Sequence, residues 1–224
     1  FVRWVQNGVF MPRFSIHSVN TDNTVTEPWM YSGMKDYIRT AIKLRYSMSP
    51  YLYSLEYRAH KTGLPIMQPM FMVFQNDSNT YNEGVDFMWG DSLLVANVVE
   101  KGAEIREVYL PDTGDKNIRF YDYYTRNEYE GGKTINVPVD ISSIPMFIKS
   151  GAIIPMAANE LNNLMNDKVD SLPQQTIWQD FHTCFYTLQS PRCLSFLFCF
   201  FYIISSKMDT IIHSSFLVCK DTIP

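Results

Sequence analysis

The sequence predicts an α/β protein: the C-terminal end of a (β/α)8 barrel followed by an all-β sandwich. Three observations carry that reading. A helix, a short apolar strand and a polar loop follow one another over residues 1–26, helical periodicity fills residues 34–60, and short β-branched or aromatic runs separated by turn residues occupy residues 87–154.

Phe1 to Gln6 is aromatic and apolar with one Arg and one Gln, and it reads as the last turns of a helix. Asn7-Gly8 then supplies residue types that tolerate a left-handed cap. Val9-Phe10-Met11 and Phe14-Ser15-Ile16 predict a strand ending at His17, with Pro12 near its entrance because proline cannot donate to a ladder. Ser18 to Thr26 is rich in Asn, Asp, Thr and Ser, a loop composition. In a (β/α)8 barrel the chemistry sits on the loops after the strands, so His17 is a candidate site residue by position.

Met34 to about His60 is helical, with Ile38, Ala41 and Ile42, then Met48, Leu52, Leu55 and Ala59, recurring on one face. Pro50 must kink this element or start a second helix, since an interior proline removes a hydrogen bond and clashes with the preceding turn. Lys61-Thr62-Gly63 provides the stop. Tyr46, Tyr51, Tyr53 and Tyr57 invite a sugar-stacking role, but packing against a sheet is the better account of them. Met67–Phe74 reads as a strand, and Gln75 to Asn79 as the break after which the barrel ends. Strands are then predicted at Phe87–Trp89, Leu93–Val99, Ile105–Leu110, Asn117–Tyr124, Lys133–Val139 and Met146–Ile154.

The 224 residues are 46% hydrophobic and 15% aromatic, enough for a substantial core, and the formal net charge of -4 offers no electrostatic footprint for nucleic acid. The chain begins Phe-Val-Arg-Trp with no initiator Met or leader, as expected of a piece of a longer protein. The last third has another texture. None of the ten glycines lies beyond Gly151, and all four cysteines, Cys184, Cys193, Cys199 and Cys219, fall there without the spacing of a metal site or a readable disulfide framework. Leu194 to Ile204 is the most apolar run but about half the roughly 20 residues that span a bilayer, so a membrane partner is not expected. A shifted reading frame is the preferred account, with residues after about Ser171 non-native and an aggregation hazard. The expected division is 1–74 barrel end, 75–157 β-sandwich and 158–224 unreliable tail.

Arg3-Trp4, Gln6, Gly8, Phe10, Pro12 and His17 resemble, in residue type and spacing, the segment that closes the catalytic TIM barrel of glycoside hydrolase family 31. The likeness continues through Glu27-Pro28-Trp29, Leu44-Arg45-Tyr46, Pro50-Tyr51-Leu52-Tyr53, Gly63-Leu64-Pro65, Trp89-Gly90-Asp91-Ser92-Leu93-Leu94-Val95 and Ile144 to Pro155, so it covers about residues 1–157. The resemblance implies a retaining α-glycosidase acting on an oligosaccharide or glycoside, with no cofactor and no metal. It also implies that His17 hydrogen-bonds sugar hydroxyls in the -1 subsite. The family's two catalytic Asp residues lie on earlier barrel strands, and neither motif is in this chain. Asp22 and Glu27 are loop carboxylates and are not promoted in their place. Ser15 and Ile16 stand where the family usually has Arg and Asn. That departure resembles members acting as α-N-acetylgalactosaminidases or α-glucosyltransferases. The rival expectation is a non-catalytic carbohydrate-binding module using the same aromatics.

Overall fold

The computed structural model describes residues 1–16 and 27–157. His17, Asp22, the four cysteines and the apolar run Leu194 to Ile204 lie outside the described residues. The helices come first: α1 Val2–Gly8, α2 Lys35–Ser47 and α3 Ser49–Thr62, with single 3-10 turns at Pro28–Met30 and Ser32–Met34 leading into α2. The strands follow: β1 Met67–Pro69, β2 Phe87–Trp89, β3 Leu93–Val95, β4 Ile105–Leu110, β5 Arg119–Asp122, β6 Glu128–Glu130, β7 Lys133–Pro138 and β8 Met146–Lys149, with a four-residue α4 Met70–Val73 after β1. Among the described residues no helix is long and apolar enough to cross a membrane.

Six strands form one antiparallel sheet in the order β1-β2-β3-β8-β5-β6, and β4 pairs with β7 in a second, from Ile105 opposite Pro138 to Leu110 opposite Lys133. Side chains alternate across a strand, so each central strand feeds two cores. Phe87 and Trp89, Leu93 and Val95, and Met146 and Ile148 face the helices, joining Val2, Val5, Phe10, Ile38, Ala41, Tyr51, Leu52 and Leu55. Met88, Leu94 and Phe147, the residues between them, join Val108 and Leu110 of β4, with Phe120, Met70 and Phe74. The six-stranded sheet is thus the middle of three layers. Its central strands are buried on both faces, which is why they read as continuous apolar runs.

Several expectations need correction. No strand forms over Val9–Ile16: α1 unwinds instead through tight bonds from Phe10 N–H to the Asn7 carbonyl and from Met11 N–H to the Gly8 carbonyl. Among the described residues no strand runs beside this segment, so a ladder has no partner. Asn7-Gly8 makes no left-handed cap either, since the capping residue Val9 is right-handed. Met67–Phe74 is a strand only to Pro69; the missing N–H there ends the ladder and starts α4. The strands predicted to reach Val99, Tyr124 and Ile154 stop at Val95, Asp122 and Lys149. β6 went unpredicted because Glu128-Tyr129-Glu130 is mostly charged, as suits the edge of a sheet. The break at Pro50 is as expected: Met48 separates α2 from α3 and the proline sits in the first turn. Gly63 caps α3 in the left-handed conformation, with φ 76°.

Two details fix the sheet to its neighbours. Gly90 follows β2 with φ 66°, and a Cβ there would lie 2.5 Å from Leu55 Cδ2 and 2.8 Å from the Tyr51 hydroxyl. That hydroxyl donates to the Trp89 carbonyl at 2.9 Å, so the turn must pass close under α3. On the other face, the buried Asp86 carboxylate accepts from Arg106 of β4 at 2.7 Å, while Arg106 Nε donates to the Asn97 carbonyl at 2.9 Å. Burial pushes the Asp86 carboxyl up to about 7 against the pull of Arg106, and the nearby Glu83 pushes it the same way as burial.

Gly90→Ala is expected to cost about 2–4 kcal/mol, from the left-handed backbone and the overpacking against Leu55 together, and to lower the thermal midpoint accordingly. An unchanged midpoint would count against this packing. The Asp86 carboxyl binds its proton more tightly folded than unfolded, where its pKa is about 3.9. Its contribution to stability is therefore fully present below about pH 4 and is lost as pH rises toward 7. The difference in urea midpoint between wild type and Asp86→Asn should carry that slope, and a difference independent of pH would contradict it.

Candidate functional site

The segment from Val9 to Phe14 leads toward the predicted site, and its course is set from two sides. Below, Val9 and Phe10 are buried, and the Phe10 ring meets Trp89 edge-on at 5.3 Å and Phe87 at 6.1 Å. Such perpendicular ring pairs contribute about 0.5–1.5 kcal/mol each beyond burial. Above, Arg45 of α2 reaches over: Nη1 donates to the carbonyls of Val9 and Met11, both at 2.7 Å, and Nη2 to that of Pro12 at 3.1 Å. These are the carbonyls that a sheet would otherwise have satisfied.

Phe14 completes the arrangement. Its ring faces the Arg45 guanidinium, with Cζ 5.6 Å from the centroid, and its edge meets Gly8, where a Cβ would lie only 3.0 Å away. A side chain at Gly8 would push the Phe14 ring off by a few tenths of an ångström, so the glycine lets the segment fold back closely on the end of α1. Burial lowers the Arg45 pKa from its ordinary value, with Glu56 and Tyr46 raising it in part, and an arginine so placed stays charged.

At its other end the helix is tied to the sheet. Arg3 donates to Gln6 Oε1 at 2.9 Å, to the Ser143 carbonyl at 2.7 Å and to the Asp140 carbonyl at 2.5 Å, and Gln6 Nε2 donates to the Ile141 carbonyl at 2.8 Å. The β7–β8 loop is thereby held by Arg3 and Gln6, which lie about one helical turn apart on α1.

Glu27 opens the described chain again beside an open cleft of about 560 Å³ whose walls include Trp29, Lys35, Arg39 and Tyr46. Trp29 is 66% exposed at its rim. The cleft carries aromatic and basic side chains, and among the described residues no pair of carboxylates lines it. Two buried carboxylates between α4 and β2 are held by structural partners. Burial alone would raise Asp77, but the Asp112 N–H at 2.7 Å, the Tyr109 hydroxyl at 2.8 Å and the two Asn79 donors outweigh it and lower its pKa. Asp86 is paired with Arg106. Among the described residues no group of three or more His, Cys, Asp or Glu could hold a metal ion.

The tyrosines divide. Tyr51 is buried with its hydroxyl on the sheet and its ring perpendicular to Trp89, Tyr57 lies under Lys61, Tyr53 is exposed, and only Tyr46 reaches the cleft. His60 is exposed at the end of α3. The role of Arg45 was missed in the sequence although a signal was there: it continues the core face of Ile38 and Ala41 on α2 toward the buried Met48 that follows the helix, where a charge needs an explanation.

Comparison with known proteins places these elements. Residues 1–55 match the model described as the glycosyl hydrolases family 31 TIM-barrel domain, and residues 63–154 that of the glycosyl hydrolase family 31 C-terminal domain. Neutral alpha-glucosidase AB of Homo sapiens is 39% identical over 155 residues, which cover 69% of this chain and 16% of that protein. Among solved structures, a Flavobacterium johnsoniae GH31 dextranase complexed with glucose superposes with a TM-score of 0.61 at 37% identity, over 70% of this chain and 19% of that one. A cycloalternan-forming enzyme from Listeria monocytogenes in complex with pentasaccharide substrate gives 0.66 at 28% identity, over 76% of this chain and 17% of that one. The chain thus spans a fifth or less of the length of each of these three relatives.

Proposed function

This chain belongs to glycosyl hydrolase family 31, and from that premise we propose that it is part of a retaining α-glycosidase that hydrolyses the O-glycosyl bonds of α-linked sugars in an oligosaccharide or glycoside. The observation that carries the proposal is the order of the matches: a catalytic-barrel segment and the domain after it follow one another, and their residues share one hydrophobic core. On this reading α1 to α3 close the (β/α)8 barrel and the strands form the β-sandwich beside it.

A retaining glycosidase needs two carboxyl groups about 5–5.5 Å apart, one to attack the anomeric carbon and one to protonate the leaving oxygen. On this reading both come from barrel strands that precede residue 1, and this chain supplies the sugar contact at His17. An imidazole there accepts from or donates to a ring hydroxyl of the sugar whose bond is broken, a contribution of about 0.5–3 kcal/mol.

A second reading, transfer of the glycosyl group to another sugar rather than to water, is favoured by Ser15 and Ile16, which depart from the usual Arg and Asn, and by the likeness to the cycloalternan-forming enzyme. The same departure at Ser15 and Ile16 fits an α-glucosyltransferase on this reading and an α-N-acetylgalactosaminidase on the hydrolytic one. The ratio of transfer product to free sugar at high acceptor concentration separates the two readings.

The 224-residue chain alone is expected to turn over no aryl α-glycoside, while the full-length enzyme does. Turnover by the purified chain would overturn the placement of the catalytic pair. In the full-length enzyme His17→Ala should lower kcat/KM between a few-fold and about a hundred-fold with the fold intact. His60→Ala, at the exposed end of α3, should be nearly silent, and equal losses at both positions would remove the case for His17.

A further inference from the structure

We propose that Asn76 is an N-glycosylation acceptor, modified with a glycan from a polyprenyl-pyrophosphate-linked oligosaccharide. Asn76-Asp77-Ser78 is an Asn-x-Ser triplet, and no other asparagine of the chain is followed two positions on by Ser or Thr. Such a triplet can carry so bulky a group only where the Asn amide and the hydroxyl stand clear of the fold together. Here they do.

The triplet follows α4 at a tight turn, closed by the Asp77 N–H donating to the Phe74 carbonyl at 3.0 Å. Phe74 before the triplet and Thr80 after it are buried, while Asn76 and Ser78 are exposed. The middle residue explains the split. Asp77 is extended, with φ -105° and ψ 99°, so its neighbours project to one side and its own side chain to the other. That carboxylate is anchored inward, accepting from the Asp112 N–H at 2.7 Å, the Tyr109 hydroxyl at 2.8 Å and both Asn79 donors at 3.1 Å. Its negative charge is therefore turned away from an anionic pyrophosphate donor. Among the described residues neither the Asn76 amide nor the Ser78 hydroxyl has a hydrogen-bond partner.

Tyr81 adds a surface for the sugar. Its hydroxyl donates to the Gln75 carbonyl at 2.7 Å, which holds a 56% exposed ring beside the turn. The apolar face of that ring can be covered by the C–H edges of the first sugar while the hydroxyl stays bonded. The glycan also leaves the cleft at Trp29 free. Phe74 packs with Val108, Leu110 and Phe120 on the face of the sheet away from the helices, whereas the cleft is walled by residues of α2, which packs on the other face.

In the transfer Asn76 Nδ2 forms a bond to the anomeric carbon of the first sugar. The bond from that carbon to the pyrophosphate oxygen breaks, its electron pair leaves with the pyrophosphate, and the amide nitrogen gives one proton to a base of the transferase. The full-length protein must then pass through a compartment that holds such a donor.

The test takes the full-length protein from the cells that make it, treats it with peptide N-glycosidase in heavy-oxygen water and sequences its peptides by tandem mass spectrometry. The expected result is an aspartate carrying heavy oxygen at position 76, and an unmodified asparagine there would overturn the proposal. Expressed in the same cells, Asn76→Gln and Ser78→Ala should each lose the glycan and migrate faster on a denaturing gel, while Ser78→Thr should keep it. Because both side chains are exposed on a turn, the variants should fold and keep kcat/KM within about twofold of wild type. A glycan that persists in Ser78→Ala would equally overturn the proposal, since the hydroxyl defines the acceptor.

Discussion

The structure depends on one sheet that buries both of its faces. Met88, Trp89, Leu93, Leu94, Val95, Met146, Phe147 and Ile148 have essentially no exposed surface, and neighbours along each strand enter different cores. The consequence is mechanical as well as energetic. The helices that carry the site segment rest on the same strands that the β4–β7 pair covers from behind, so neither layer can shift without opening the sheet between them. Trp89 is the point where this is most concentrated: its ring meets Phe10 ahead of the site segment and Tyr51 of α3, and its carbonyl accepts the Tyr51 hydroxyl. Removing a large buried aromatic of this kind typically costs about 3–5 kcal/mol.

Much of this was legible in the sequence, and the rest was hidden for physical reasons. The helical periodicity of residues 34–60 and the apolar runs at β2, β3 and β8 are burial patterns, and burial decided those elements. The pause at Pro50 and the stop at Gly63 are backbone chemistry that few contexts override. Val9–Ile16 was misread because a strand is a property of a pair: its composition suits a sheet, but its carbonyls go to a side chain on α2. β6 was invisible because an edge strand is charged. At the site, the convergence of Gly8, Phe14 and Arg45 could not be read from the sequence, since nothing local relates residues so far apart. The misplaced charge on the core face of α2 was the one available clue.

The functional account joins these two levels. A glycosidase subsite has to hold a sugar hydroxyl within hydrogen-bonding distance while the ring distorts, and side chains on a drifting loop cannot do that. Here the backbone from Val9 to Phe14 is pinned to a sheet below and to an arginine above, and α1 is itself tied to the β7–β8 loop through Arg3 and Gln6. The β-domain on this view is more than a passive neighbour of the barrel. It is the floor against which the residues that match the TIM-barrel domain are set, which explains why the two consecutive family domains share one core.

The central claim, that this chain serves a retaining α-glycosidase, is tested most directly by the configuration of the first-formed product. Proton nuclear magnetic resonance of the full-length enzyme acting on an aryl α-glycoside resolves the anomeric signals before they equilibrate. The account predicts that the α-anomer of the free sugar is released first and the β-anomer appears only by mutarotation. Release of the β-anomer first would contradict it.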